Sequence, residues 1–130
     1  MMFEVDGIPI RLIDTDDRQV IHMAHGRGYE KQSLEAWASM VKPGAVALDI
    51  GAYTGLYSII AAKKGAQAIA IEPMPANYWR LGVNVAANKA AVMALNVAAS
   101  DINGAMTLNF NPRVPLTTGA SLEVGVVEHT

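Results

Sequence analysis

Hydrophobic and polar positions along the chain switch between two periods, and the switches divide it into elements. Ile8, Ile10 and Leu12 alternate with Pro9 and Arg11 behind an Asp6-Gly7 pair. That pair is a two-residue turn signal, so residues 3–13 are expected to form a β-hairpin. Pro9 has no N–H to give to a ladder, which places its strand at an edge. A polar break, TDDR, follows at 15–18, and residues 20–23 suit a short strand. Leu34, Trp37 and Met40/Val41 then recur at three- and four-residue spacing, predicting a helix over 29–41 that ends at KPG. Residues 46–50 read as a buried strand. Leu56, Ile59, Ile60 and Ala62 mark one face of a helix stopped by two lysines and Gly65. A second buried strand covers 68–72. Pro75 opens the next helix, over 77–89, with Tyr78, Leu81 and Val85 on its inner face. A third strand is expected over 92–99, a turn at 101–104, a strand at 105–110 and a last one in the tail, 121–128.

Strand, helix, strand, helix, strand, with near-continuous apolar strands, is the signature of a parallel sheet covered on both faces. Right-handed crossovers lay the three strands side by side in chain order. The fold class is therefore α/β, one half of a Rossmann-like doubly wound sheet behind an N-terminal hairpin. The 130 residues make one domain.

Ligands of such sheets sit beyond the carboxyl ends of the strands, at the first strand-helix turn. Here that turn is the stretch VALDIGAYTGLYSIIAAKKG, residues 46–65. Gly51 and Gly55 let the backbone bend and approach a ligand, and the helix behind them offers free N–H groups. A dinucleotide fingerprint would need glycine where Tyr53 and Leu56 stand. Asp49, directly before the loop, would repel a pyrophosphate but receive an ammonium group. Glu72 ends the second strand, where a carboxylate can accept both hydroxyls of a ribose. A cation, a ribose and no phosphate together describe S-adenosylmethionine. As a free strand-end acceptor, Glu72 should matter to ligand affinity and hardly at all to the stability of the unliganded chain.

Composition narrows the partners. Ten basic against twelve acidic residues leave a net charge of −2, which argues against a nucleic-acid or anionic-membrane surface. There is no cysteine, hence no disulfide or thiolate metal site, and the histidines lack partners at metal spacing, so no metal is expected. Apolar runs fall short of a bilayer span. The acidic N-terminus lacks the basic-then-apolar order of a signal peptide, so a cytoplasmic protein is expected. Charged residues make up only 17%, against roughly 25% in ordinary domains, which points to apolar surface covered by a partner or a second copy.

Three stretches carry a resemblance: LDIGAYTGLYS at 48–58, AIEPMPANYWRLGVN at 70–84 and NVAASDING at 96–104, with GYE at 28–30 ahead of the first helix. Together they resemble the FkbM-type S-adenosylmethionine-dependent methyltransferases, over about residues 29–122, and the EPxPxNY block is the most specific part. The resemblance implies the class I methyltransferase fold and S-adenosylmethionine as cofactor. It implies that Asp49, Gly51, Ala52, Tyr53 and Gly55 form the loop at the methionine part of the cofactor. Glu72 and Pro73 would stand at the ribose, Ser100 or Asp101 at the adenine, and Glu30 at the site's edge. It further implies methyl transfer to oxygen of a small-molecule or sugar acceptor.

This chain departs from the family in two ways. The family usually has Asn where Tyr53 stands, so contacts of that side chain do not carry over. Nothing here matches the family's later strand with a KIDxEG-type motif, and the chain ends before the fourth strand of the sheet. The catalytic face of the family lies in that later half, so no catalytic residue is assigned. Two other readings stay open: a truncated, non-catalytic cofactor-binding module, and an NAD-binding half-domain, which Tyr53 and Leu56 oppose. The edge left by the absent fourth strand is expected to be covered by the tail folding back or by a homodimer.

Overall fold

The computed structural model describes residues 1–13, 16–20, 30–113, 116 and 121–123. The chain opens on the expected hairpin, β1 (Met2–Val5) against β2 (Ile8–Arg11). Asp6 and Gly7 both take positive φ, 49° and 75°, as a tight turn matched to strand twist requires. Pro9 faces Glu4 in this two-stranded sheet, where every strand is an edge. The outer side of β2 is satisfied by a side chain: Asn88 Oδ1 accepts the Arg11 N–H at 2.8 Å and its Nδ2 donates to the Arg11 carbonyl at 2.6 Å.

Residues 18–20 are helical, not the start of a strand. The Asp17 carboxylate accepts the N–H groups of Gln19 and Val20, which is the geometry of a helix cap. The rest of the strand expected at 20–23 lies outside the described residues, as do His22, His25 and Tyr29. Helix α1 (Lys31–Met40) follows. It buries Leu34 and Ala38 against Ile10, Leu12, Val20, Ile59 and Ile60 in the main core. Trp37 lies at the rim of this core, its indole N–H on the Tyr57 carbonyl at 2.9 Å and its ring edge-on to the Tyr57 ring.

The central layer is a parallel sheet in the order β3 (Val46–Ile50), β4 (Gln67–Ile71), β5 (Val92–Leu95). The crossovers are α2 (Leu56–Lys63) and α3 (Pro75–Ala87). Ala47, Ala68 and Ala70 are buried beneath these helices, their small side chains allowing close approach. The third strand stops at Leu95, four residues before the expected end.

Only one face of this sheet is covered among the described residues. Strands laid successively in one direction, with crossovers of one hand, put both helices on the same side. The other face carries Val46, Leu48, Ile50, Met93 and Leu95, all exposed. Of the inner face expected for α3, Leu81 is fully buried and Val85 packs against the core, and polar residues share that face. Asn77, Arg80, Leu81 and Asn84 are its buried residues, while Tyr78 is partly exposed. Beyond the sheet, β6 (Thr107–Asn109) pairs antiparallel with β7 (Ser121–Glu123). Leu122 thus stands opposite Leu108 rather than on the edge of β3, so this part of the tail does not cover that edge.

Candidate functional site

The loop between β3 and α2 is tied to the end of β4 before any side chain is considered. The N–H groups of Gly51 and Ala52 both donate to the Ile71 carbonyl, at 2.8 and 3.0 Å. Gly51, Tyr53 and Gly55 all take positive φ, 77°, 53° and 99°. Gly55 has a second reason to be glycine, since a Cβ there would lie 3.2 Å from Leu81 of α3. Gly51 has open space where its Cβ would stand, the space a ligand would approach.

Asp49 lies at the mouth of this loop, partly buried. Its Oδ2 accepts the Ser58 hydroxyl at 2.6 Å, and the Ser58 backbone N–H also bonds to the carboxylate. Burial nevertheless pushes the carboxyl above its ordinary value of 3.8. The two bonds from Ser58 oppose that rise, and the charge of Glu30 adds to it. Glu30 is therefore close enough to act on Asp49, and it accepts the Tyr57 hydroxyl at 3.3 Å. Burial first, then the charge of Glu30 and its hydrogen bond, push Tyr57 up to about 12. Among the described residues, no lysine or arginine pairs with Asp49 or Glu30. Among the described residues, two carboxylates thus act on each other and neither has a cationic partner.

Glu72 is not the free strand-end acceptor expected from the sequence. It is 5% exposed. Oε2 accepts the Tyr53 N–H at 2.8 Å; Oε1 accepts the Met74 N–H at 3.0 Å and the Asn77 amide at 3.3 Å. The carboxylate therefore joins the glycine loop to the start of α3. With two lone pairs per oxygen, Oε2 keeps one acceptor position for a hydroxyl.

Beyond Pro73 the surface opens into a cleft of about 430 Å³, lined by Pro73, Asn96, Ser100, Ile102, Met106 and Leu108 among others. Asn96 shapes its entrance by donating to the carbonyls of Glu72 and Pro73, at 2.9 and 3.1 Å. Ser100 lies in this cleft and donates to Asp101 Oδ1 at 3.2 Å, while Asp101 is not among the lining residues. The structure thus gathers Glu30, Asp49, Gly51, Ala52, Tyr53, Gly55, Glu72 and Pro73 around one loop, with Ser100 in the adjoining cleft. Among the described residues, no cluster of three His, Cys, Asp or Glu could hold a metal.

Several supporting residues escaped the sequence reading. The polar break at 15–18 holds Asp17, which is fully buried and accepts the hydroxyls of Tyr53 and Thr54, both at 2.8 Å. Its neighbour Asp16 pairs with Arg80 at 2.6 Å. Asn84 joins the Ile13 N–H, at 2.9 Å, to the Thr54 carbonyl, at 2.8 Å. The available signal was the spacing of Asn77, Arg80, Asn84 and Asn88, which puts four polar side chains on one face of a helix.

A solved structure with a similar fold is a SAM-dependent methyltransferase from Agrobacterium tumefaciens. It has a TM-score of 0.51 and 17% sequence identity over 74% of this chain and 31% of that one. A second, described as a transferase from Pyrococcus horikoshii, has a TM-score of 0.48 and 24% identity, over 75% and 36%. The chain spans about a third of the length of the solved structures it matches. No protein-family model matches it, and no curated protein matches it in sequence. The likeness supports the fold: an α/β arrangement with three parallel strands and crossover helices, shared with part of that solved structure.

Proposed function

We propose that this chain binds S-adenosylmethionine and is the N-terminal part of an FkbM-type methyltransferase domain acting on oxygen of a small-molecule or sugar acceptor. The observation that carries the reading is the acidic pair, Asp49 and Glu30, beside a glycine loop, with no cationic partner among the described residues. An ammonium group placed there would relieve both carboxylates, and charge-assisted hydrogen bonds of this kind are short and strong. The open space at Gly51 suits the backbone of an amino-acid ligand. The spare acceptor on Glu72 suits one ribose hydroxyl, and the cleft beyond Pro73 suits a flat base.

When bound, the sulfonium supplies an electrophilic methyl group. The residues described here bind and orient: Asp49 and Glu30 hold the cation, Glu72 holds the ribose, and positioning is the main contribution a protein makes to such a transfer. No described side chain is assigned a part in the transfer itself. The acceptor class and the FkbM-type assignment rest on the sequence resemblance, above all on the block EPMPANY at 72–78. No helix among the described residues is long and apolar enough to cross a membrane. We further propose that the open sheet face is covered by a second copy of the chain.

Titration calorimetry with S-adenosylmethionine, its demethylated product and NAD tests the cofactor. Binding of the first two is expected. Tighter binding of NAD would replace this reading with that of a dinucleotide-binding half-domain.

A further inference from the structure

Asp17 is fully buried, yet nothing in the cofactor reading uses it. A carboxylate in that position must be satisfied by donors, and the four among the described residues come from two parts of the chain. Gln19 and Val20 give backbone N–H groups at 3.1 and 3.3 Å. Tyr53 and Thr54 reach in from the glycine loop with their hydroxyls.

The conformation of Tyr53 makes the second pair informative. Its φ of 53° lies in the left-handed region, where a bulky residue is strained by about 1–3 kcal/mol. Glycine would adopt that φ freely. Only a long side chain ending in a donor, however, spans from this position to Asp17. Tyr53 is held at both ends, with its hydroxyl on Asp17 and its N–H on Glu72. Thr54 is held likewise, by Asp17 at its hydroxyl and by Asn84 at its carbonyl. Burial and the bond to Asp17 push the Tyr53 hydroxyl well above its ordinary range, so it remains a donor.

We infer that Asp17 and Tyr53 are a positioning pair for the cofactor loop: the hydroxyl-carboxylate bond fixes the left-handed turn and thereby aims the Tyr53 N–H at Glu72. Their proposed role is to position the loop, not to take part in the transfer. The inference rests on the cofactor reading above and extends it to a carboxylate in the segment after the hairpin. Loss of the bond lets the loop leave its binding conformation, and apparent affinity falls with the fraction of chains still competent.

Calorimetric titration of the full 130-residue chain with S-adenosylhomocysteine tests this, together with hydrogen exchange at the amide of residue 53. Tyr53→Phe removes only the hydroxyl and should weaken binding about tenfold, equivalent to about 1.4 kcal/mol. It should also speed exchange at residue 53, because the bond to Glu72 opens more often. Asn88→Ala serves as the structural control. It unhooks β2 from α3 and should lower the melting temperature while leaving affinity unchanged. Wild-type affinity and wild-type exchange in Tyr53→Phe would overturn the pairing. So would an equal loss of affinity in Asn88→Ala, which would reduce the effect to general loosening. If the unaltered chain bound no S-adenosylhomocysteine, the cofactor reading would fall, and exchange at residue 53 would still decide whether the pair orders the loop.

Discussion

The Tyr53 N–H donates to Glu72 Oε2 at 2.8 Å, so the loop and the strand-end carboxylate already bind each other without a ligand. Glu72 therefore has two tasks. It closes the junction between the loop, the end of β4 and the start of α3, and it leaves one lone pair for a ligand hydroxyl.

That double task changes what Glu72→Ala should do. The substitution strands the Tyr53 and Met74 N–H groups in a buried place. An unsatisfied buried donor costs about 1–3 kcal/mol, so the unliganded chain should lose about 3 kcal/mol and melt on the order of 10 °C lower. Glu72→Gln keeps one acceptor oxygen and should lose less than half as much. Thermal unfolding of the two variants checks this, and an alanine variant that melts with the wild type would mean the three bonds are not stabilising.

Asp49 should show the opposite balance. Burial holds its pKa in the folded state above the ordinary value. A carboxyl shifted upward stabilises the fold when protonated, and that contribution is lost as pH rises through the raised pKa. At neutral pH the unliganded chain therefore carries an unfavourable charge. Asp49→Asn, which keeps an acceptor for Ser58, should raise the melting temperature at neutral pH by a few degrees and flatten its rise on acidification. The same change should abolish most affinity for S-adenosylmethionine, since the cation partner is gone. In the unaltered chain, affinity should fall as pH drops from neutrality towards the ordinary carboxylate range. A variant both more stable and equally avid would remove Asp49 from the site.

The two loop glycines should separate in stability measurements. Gly51→Ala meets nothing within 4 Å and is strained only by its φ of 77°, at about 1 kcal/mol. Gly55→Ala adds a contact at 3.2 Å with Leu81 to a φ of 99°, and should cost about twice that. Denaturant midpoints of the two variants make the comparison. The reverse order would mean that α3 shifts to make room.

The legible parts of this chain were those set by local pattern. The turn at Asp6-Gly7, the strand at Val46–Ile50 and the glycine loop follow from residues whose backbone preferences or periodicity dominate. Bonds between distant segments left no such mark. Asp17 reads as one more polar residue in a break, because its partners, Tyr53 and Thr54, are far away in the chain. The inner face of α3 was legible in part, at Leu81 and Val85, and its polar members were missed for the same reason. Asn84 and Arg80 are buried to satisfy backbone and carboxylate groups of the N-terminal segment, and hydropathy sees only that they are polar. The length of β5 was overestimated because the apolar run continues past Leu95 into the cleft wall, where Asn96 and Ser100 do the shaping.

The open face of the sheet carries the last prediction. Leu48, Ile69 and Met93 stand side by side across the three strands, and so do Ile50, Ile71 and Leu95 in the next row. Leu48 is 51% exposed and Met93 60%. Parallel sheets are ordinarily buried on both faces, and an apolar strand with a free edge is adhesive. The bond between β6 and β7 shows that residues 121–123 are engaged elsewhere. A symmetric pair of chains would bury both rows at once, since an isologous interface uses the same patch twice. Light scattering at micromolar concentration should therefore report about twice the 13.8 kDa chain mass. Leu48→Lys should convert the dimer to a monomer, because it would bury an unpaired charge at the centre of the patch, while the exposed position spares the fold itself. A monomeric wild-type chain would end the dimer proposal.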